Sequence, residues 1–138
     1  MNSSRTPRGL ELLAMALLLS GVAGCGGRGL YPVSGQVVYK DGSDPSVLAR
    51  CLVVFDPADA EGPKSSARGE VQPDGSFQMT TFTEGDGVYA GKYRVIVSVP
   101  RRSRRLGLLN ERYEDFATSG LEITVTGAVS DYKVTVEK

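Results

Sequence analysis

The sequence predicts an all-β domain, a seven-stranded antiparallel Greek-key β-sandwich, behind an N-terminal signal peptide. Three observations predict it. Beyond Tyr31 the apolar residues recur with period two, the alternation of strands with one buried face. Seven such runs are separated by turn-forming residues at intervals that suit a two-sheet sandwich. Helical spacing is scarce after the first 25 residues, outside an excursion at 100–120.

The first expected strand, 33–40, puts Val33, Val37 and Tyr39 on one face with Gly35, whose missing side chain leaves room for a neighbouring ring or a bend. In 51–55 the alternating residues are Cys51, Val53 and Phe55. Shorter runs follow at 67–71 and 77–82. The longest, 93–99, places Tyr93, Val95, Val97 and Val99 together, and Leu121, Ile123 and Val125 repeat the pattern, as do Tyr132, Val134 and Val136. Asp41-Gly42, Pro73-Asp74-Gly75 and Gly85-Asp86-Gly87 supply turns, because Gly accepts positive φ and Asp bonds its own backbone. In the excursion, Leu109, Tyr113 and Phe116 would line one side of one or two helical turns.

The leader has a different character. Arg5 and Arg8 precede an apolar run from Leu12 that ends near Ala23, about 12 residues against the roughly 20 a membrane-spanning helix needs. Residues 1–24 therefore read as a secretory signal peptide. Its end, Val22-Ala23-Gly24-Cys25, resembles the lipobox of bacterial lipoproteins at all four positions. That resemblance implies a diacylglycerol thioether on Cys25, cleavage just before it and acylation of the new amino terminus. Residues 25–30 would be a lipidated flexible tether and 31–138 the β-sandwich domain. Two or three acyl chains hold a protein on a bilayer effectively permanently. Gly26 stands where enteric bacteria place an aspartate to retain lipoproteins in the inner membrane, so the resemblance favours the outer membrane. The expected location is the cell envelope, with the membrane as a partner through lipid.

Composition narrows the function classes. The chain of 138 residues has 16 Lys and Arg against 16 Asp and Glu, so it lacks the general positive field of a nucleic-acid-binding protein. It has no histidine, which removes Ser-His-Asp and Cys-His nucleophile systems and histidine metal sites. With Cys25 lipidated, Cys51 is left without a disulfide partner and is expected to be a buried, inert thiol. The carboxylates fall in loose sets, Asp41 with Asp44, Asp56 with Asp59 and Glu61, Glu84 with Asp86, and Glu114 with Asp115. None has the spacing of an EF-hand loop, and solvated turns account for them. The sharpest charge feature is Arg101-Arg102-Ser103-Arg104-Arg105. It is either a contact for anionic headgroups or acidic glycans, or a solvated loop balanced by Glu111, Glu114 and Asp115.

Three stretches carry a second resemblance. Val33-Ser34-Gly35-Gln36-Val37, Gly69-Glu70-Val71 running into Asp74-Gly75-Ser76-Phe77, and Gly91-Lys92-Tyr93-Arg94-Val95-Ile96-Val97 resemble the carboxypeptidase regulatory-like, transthyretin-like β-sandwiches of small bacterial lipoproteins. Tyr113 with Thr118-Ser119-Gly120-Leu121 and Val125 is similar to their closing part. These motifs are folding devices, so they imply fold rather than activity. The expectation is a non-enzymatic, lipid-anchored structural or protein/polysaccharide-binding module, with no cofactor, no metal and no nucleic acid. The alternative is a carbohydrate-binding module using Tyr31, Tyr39, Phe82, Tyr89 or Tyr113; an envelope hydrolase is a third reading.

Overall fold

A computed structural model of the chain describes residues 29–104 and 107–138. The signal peptide, Cys25, most of the tether, and Arg105 lie outside them. Among the described residues nine strands form: β1 Leu30–Tyr31, β2 Val33–Tyr39, β3 Leu52–Pro57, β4 Ala67–Glu70, β5 Ser76–Gln78, β6 Val88–Tyr89, β7 Gly91–Ser98, β8 Leu121–Val125 and β9 Val129–Val136. No α-helix occurs among the described residues; three short 3₁₀ turns do. The described residues are therefore all-β, in keeping with their period-two alternation.

The strands make a four-stranded sheet, β4-β3-β7-β8, a three-stranded sheet, β5-β2-β9, and a two-residue ribbon, β1-β6. Both larger sheets turn their apolar faces to one core. Val33 and Val37 of β2 and Val134 and Val136 of β9 enter it from one side, and Val53, Phe55, Tyr93, Val95 and Val97 from the other. An aromatic cluster spans the two sheets. The Phe55 ring lies 5.8 Å from Tyr93 and 5.9 Å from Tyr132, and Phe77 meets Tyr132 edge-on at 6.5 Å, separations at which ring quadrupoles attract.

Three expectations need correction. The described residues hold nine strands instead of seven, the additions being the two-residue β1 and β6. Pairing is not uniformly antiparallel, because β2 and β9 run parallel. These are the first long strand and the last, so no hairpin dictates their relative direction. The strand expected over 77–82 stops at Gln78. Beyond it the chain crosses to the other sheet, where Thr80 and Arg68 exchange both backbone hydrogen bonds at 2.8 and 2.9 Å and close that corner. A loop follows. Asp86 there accepts from the backbone N–H of Thr81, Phe82 and Thr83 at 2.7–2.9 Å. Burial pushes the Asp86 carboxyl up, yet those three N–H groups outweigh it and hold the group below its ordinary value. The loop is thus fixed from within.

The excursion after β7 folds back to cap the core at the end where β2 finishes and β3 begins. Leu108, Leu109 and Tyr113 are buried there beside Leu48, Cys51 and Val99. Leu108 takes the place expected for Phe116, which instead lies on the outer face under the Arg94 guanidinium at 5.4 Å. The Tyr39 hydroxyl donates to the Leu108 carbonyl at 2.5 Å, and the buried Ser119 hydroxyl donates to the Val95 carbonyl at 2.6 Å. These two bonds, 69 and 24 residues apart in sequence, fasten the excursion to both sheets.

Candidate functional site

The domain has two poles. One holds the start of β2, the β1-β6 ribbon, the loop 81–87 and the end of β3; the other holds the end of β2, the start of β3 and the excursion. β7 runs between them over eight residues, about 26 Å at roughly 3.3 Å per residue.

The arginine run sits at the second pole. Arg101–Ser103 forms a 3₁₀ turn directly after Pro100, with Arg101 and Arg102 exposed. Neither forms an ion pair among the described residues, whereas Arg104 meets Glu114 at 2.8 Å. The fold therefore brings Glu114, one of the three acids read as balancing the run, back onto part of it. Arg105 and Cys25, the expected lipidation site, lie outside the described residues. Beside Arg102, across a shallow polar concavity with Ser46 and Ser103, Val47 is half exposed at 50%.

Cys51 lies beneath this surface, with no solvent exposure. Burial pushes its thiol up to about 11, and the Glu114 carboxylate adds to the shift. A thiol so placed is almost wholly protonated at neutral pH and unreachable by reagents. Thiol labelling of the native protein is accordingly expected to spare Cys51 and to become fast only in denaturant. Prompt native labelling would remove it from the core.

Several aspartates of the loose carboxylate sets, and Asp74 with them, are occupied locally. Asp41 and Asp44 accept from the backbone of Ser43 and Ser46, Asp74 from Ser76 and Asp115 from Ala117. Asp56 pairs with Arg94 at 2.7 Å. Among the described residues no group of three or more Asp, Glu, His or Cys side chains converges for a metal ion. Asn110 caps the turn that carries Tyr113 by accepting from Arg112 N–H at 3.2 Å.

A concavity of about 890 Å³ lies at the β4/β5 corner. Arg68, Glu70, Gln78 and Glu84 edge it, and Leu52 and Phe77 contribute apolar atoms. Sequence gave no sign of it, because it arises where one sheet turns into the other. It holds no nucleophile paired with a base.

The aromatic residues divide by pole. Tyr39 and Tyr113 are buried at 4% and 6% exposure and cannot present a platform. Tyr31, Phe82 and Tyr89 gather at the first pole, where Phe82 is 67% exposed and meets the Tyr89 ring edge-on at 6.2 Å. Tyr31 and Tyr89 line a concavity of about 480 Å³ with Gly29, Pro63 and Lys64. No known protein family matches the chain, and no curated protein or solved structure does either.

Proposed function

We propose that the protein is a lipid-anchored component of the bacterial cell envelope. Its domain, a Greek-key β-sandwich of the transthyretin-like, carboxypeptidase regulatory-like kind, would serve as a non-catalytic structural module or bind an envelope protein or polysaccharide. The observation that carries this reading is Val22-Ala23-Gly24-Cys25 behind a short, positively preceded apolar run. Only a thiol offers the nucleophile for a thioether, and small residues before it let a protease reach the backbone. Two sheets around one core support the sandwich. Carboxylates held by turns, a buried thiol and the absence of histidine support a role without catalysis.

Expressed in a diderm bacterium, the protein is expected to fractionate with membranes and to incorporate labelled fatty acid. Cys25→Ser abolishes labelling and processing at this site. Recovery of unlabelled wild-type protein that begins at any residue other than Cys25 overturns the reading.

The arginine run is the contact for an anionic surface in this proposal. Arg104 spends part of its charge on Glu114, so Arg101 and Arg102 carry most of the field, joined by Arg105. Replacing Arg101, Arg102, Arg104 and Arg105 by Ser is expected to weaken binding of the lipid-free domain to anionic vesicles or acidic polysaccharide. The loss is largest at low salt, since the Debye length falls to about 8 Å at about 0.15 M. The exposed changes at Arg101 and Arg102 should each move stability by less than about 0.5 kcal/mol. Equal binding by both forms at low salt leaves the run a solvated loop.

A further inference from the structure

The tether enters the domain where one exposed phenylalanine, Phe82, and two half-buried tyrosines, Tyr31 and Tyr89, gather. Gly29 is separated from Cys25 by four peptide units, so Cys25 lies within about 14 Å of it even at full extension. Gly29 itself borders the concavity lined by Tyr31 and Tyr89. Phe82 stands next to Tyr89 as the most exposed large apolar side chain described. It is not on a loose tip, because Asp86 gathers the backbone N–H of Phe82 and of both its neighbours. A lone exposed phenylalanine is ordinary on a protein surface; this one is set apart by its fixed backbone and by the two tyrosines beside it at the tethered end.

We propose that this aromatic pole seats on the bilayer that carries the Cys25 lipid, with Phe82 entering the interface and Tyr31 and Tyr89 at headgroup level. The proposal rests on lipidation at Cys25 and adds an orientation to it. Aromatic rings with a polar tip are favoured where one end is apolar and the other wet. The exposed charges nearby are mixed, with Lys64 set against Glu61 and Glu84, so the contact is apolar in origin and insensitive to salt. An anchor that reaches about 14 Å holds this pole down, while the arginine pole lies about 26 Å away along β7. Arg101 and Arg102 then face away from the anchoring membrane, toward whatever anionic partner the compartment offers.

The protein contains no tryptophan, so a single introduced indole reports its own surroundings. Phe82→Trp and Val47→Trp place one at each pole, both at exposed positions. Each purified full-length variant is anchored in phosphatidylcholine vesicles containing brominated acyl chains. Anchoring uses the native lipid or, where the chain proves unlipidated, coupling of the free Cys25 thiol to a maleimide-bearing phospholipid, with Cys51 buried and silent. The fraction that needs maleimide reads the lipidation proposal separately from the orientation. With F82W, most of the emission is expected to be lost and the remainder to shift to the blue, at low and high salt alike, whereas V47W keeps its emission. An anchored F82W protein with unquenched emission, or equal quenching at both positions, overturns the proposal. It is overturned equally if F82W responds to soluble cell-wall oligosaccharides while brominated lipid leaves it untouched, which would make the pole a glycan platform.

Discussion

Gly35→Ala is expected to remove a large share of the domain's stability. A β-carbon at position 35 would stand 1.9 Å from the Tyr132 carbonyl oxygen and 2.9 Å from the Phe77 ring. The carbonyl belongs to backbone that pairs with β2, and the register shifts between Val33 and Gly35 to let the two strands approach so closely. The ring is held edge-on to Tyr132. Relief therefore requires opening the β2–β9 ladder or displacing the aromatic cluster. Either route belongs to the exceptional class above about 4 kcal/mol, against a total stability of about 5–15 kcal/mol for a domain. Gly42→Ala is the control. Its φ of 76° is unfavourable for alanine, yet nothing lies within 4 Å of the added carbon, so the cost is only about 1–2 kcal/mol. Urea titrations followed by circular dichroism compare the two. A Gly35→Ala midpoint equal to that of Gly42→Ala would refute the close approach.

Alkali is expected to unfold the wild-type domain between pH 10 and 12. Burial pushes the phenols of Tyr39, Tyr93 and Tyr132 up to about 12, helped at Tyr39 by the charges of Cys51 and Asp41 and at Tyr93 by Tyr89. Below pH 10 each phenol is neutral in both states and the phenols leave stability unaffected, whereas the buried Cys51 thiol, pushed up to about 11, starts to lower stability from about pH 9. Above pH 10 the unfolded chain releases protons that the folded chain keeps until about pH 12, so stability falls as pH rises through that window. Each ring contributes about 2 kcal/mol of that loss, somewhat less for the partly exposed Tyr132. Together they consume about the stability of a marginal domain. Tyrosinate absorbance and circular dichroism should therefore change together. Single Tyr→Phe variants identify the contributors, and ionisation of these three phenols below pH 11 with the dichroism unchanged would show that their burial is not retained in solution.

The elements that sequence made legible are those whose reason is local. Alternation over 93–99 and 121–125 matches β7 and β8 closely, since one buried face imposes period two wherever a strand forms. Gly35 could be read in advance as a place for a ring or a bend, and it serves both. The Asp-Gly turns behave as their chemistry requires, with the Asp74 carboxylate accepting from Ser76 N–H and Gly75 at φ 85°. The lipobox and the arginine run are likewise properties of consecutive residues.

What sequence left undecided depends on partners remote in the chain. The direction of β9 beside β2 is set by the path of everything between them. The crossing at Thr80 depends on Arg68, and the pairing of Arg104 with Glu114 on how Leu108, Leu109 and Tyr113 bury themselves against the end of the core. The sorting of aromatics is of the same kind. Period two told that Tyr93 points inward, but only packing decided that Tyr39 and Tyr113 are covered while Tyr31, Phe82 and Tyr89 collect at the tethered pole. Local propensity and side-chain chemistry act over a few residues, whereas burial is assigned by the closure of two sheets on one core, and that closure is a property of the whole chain.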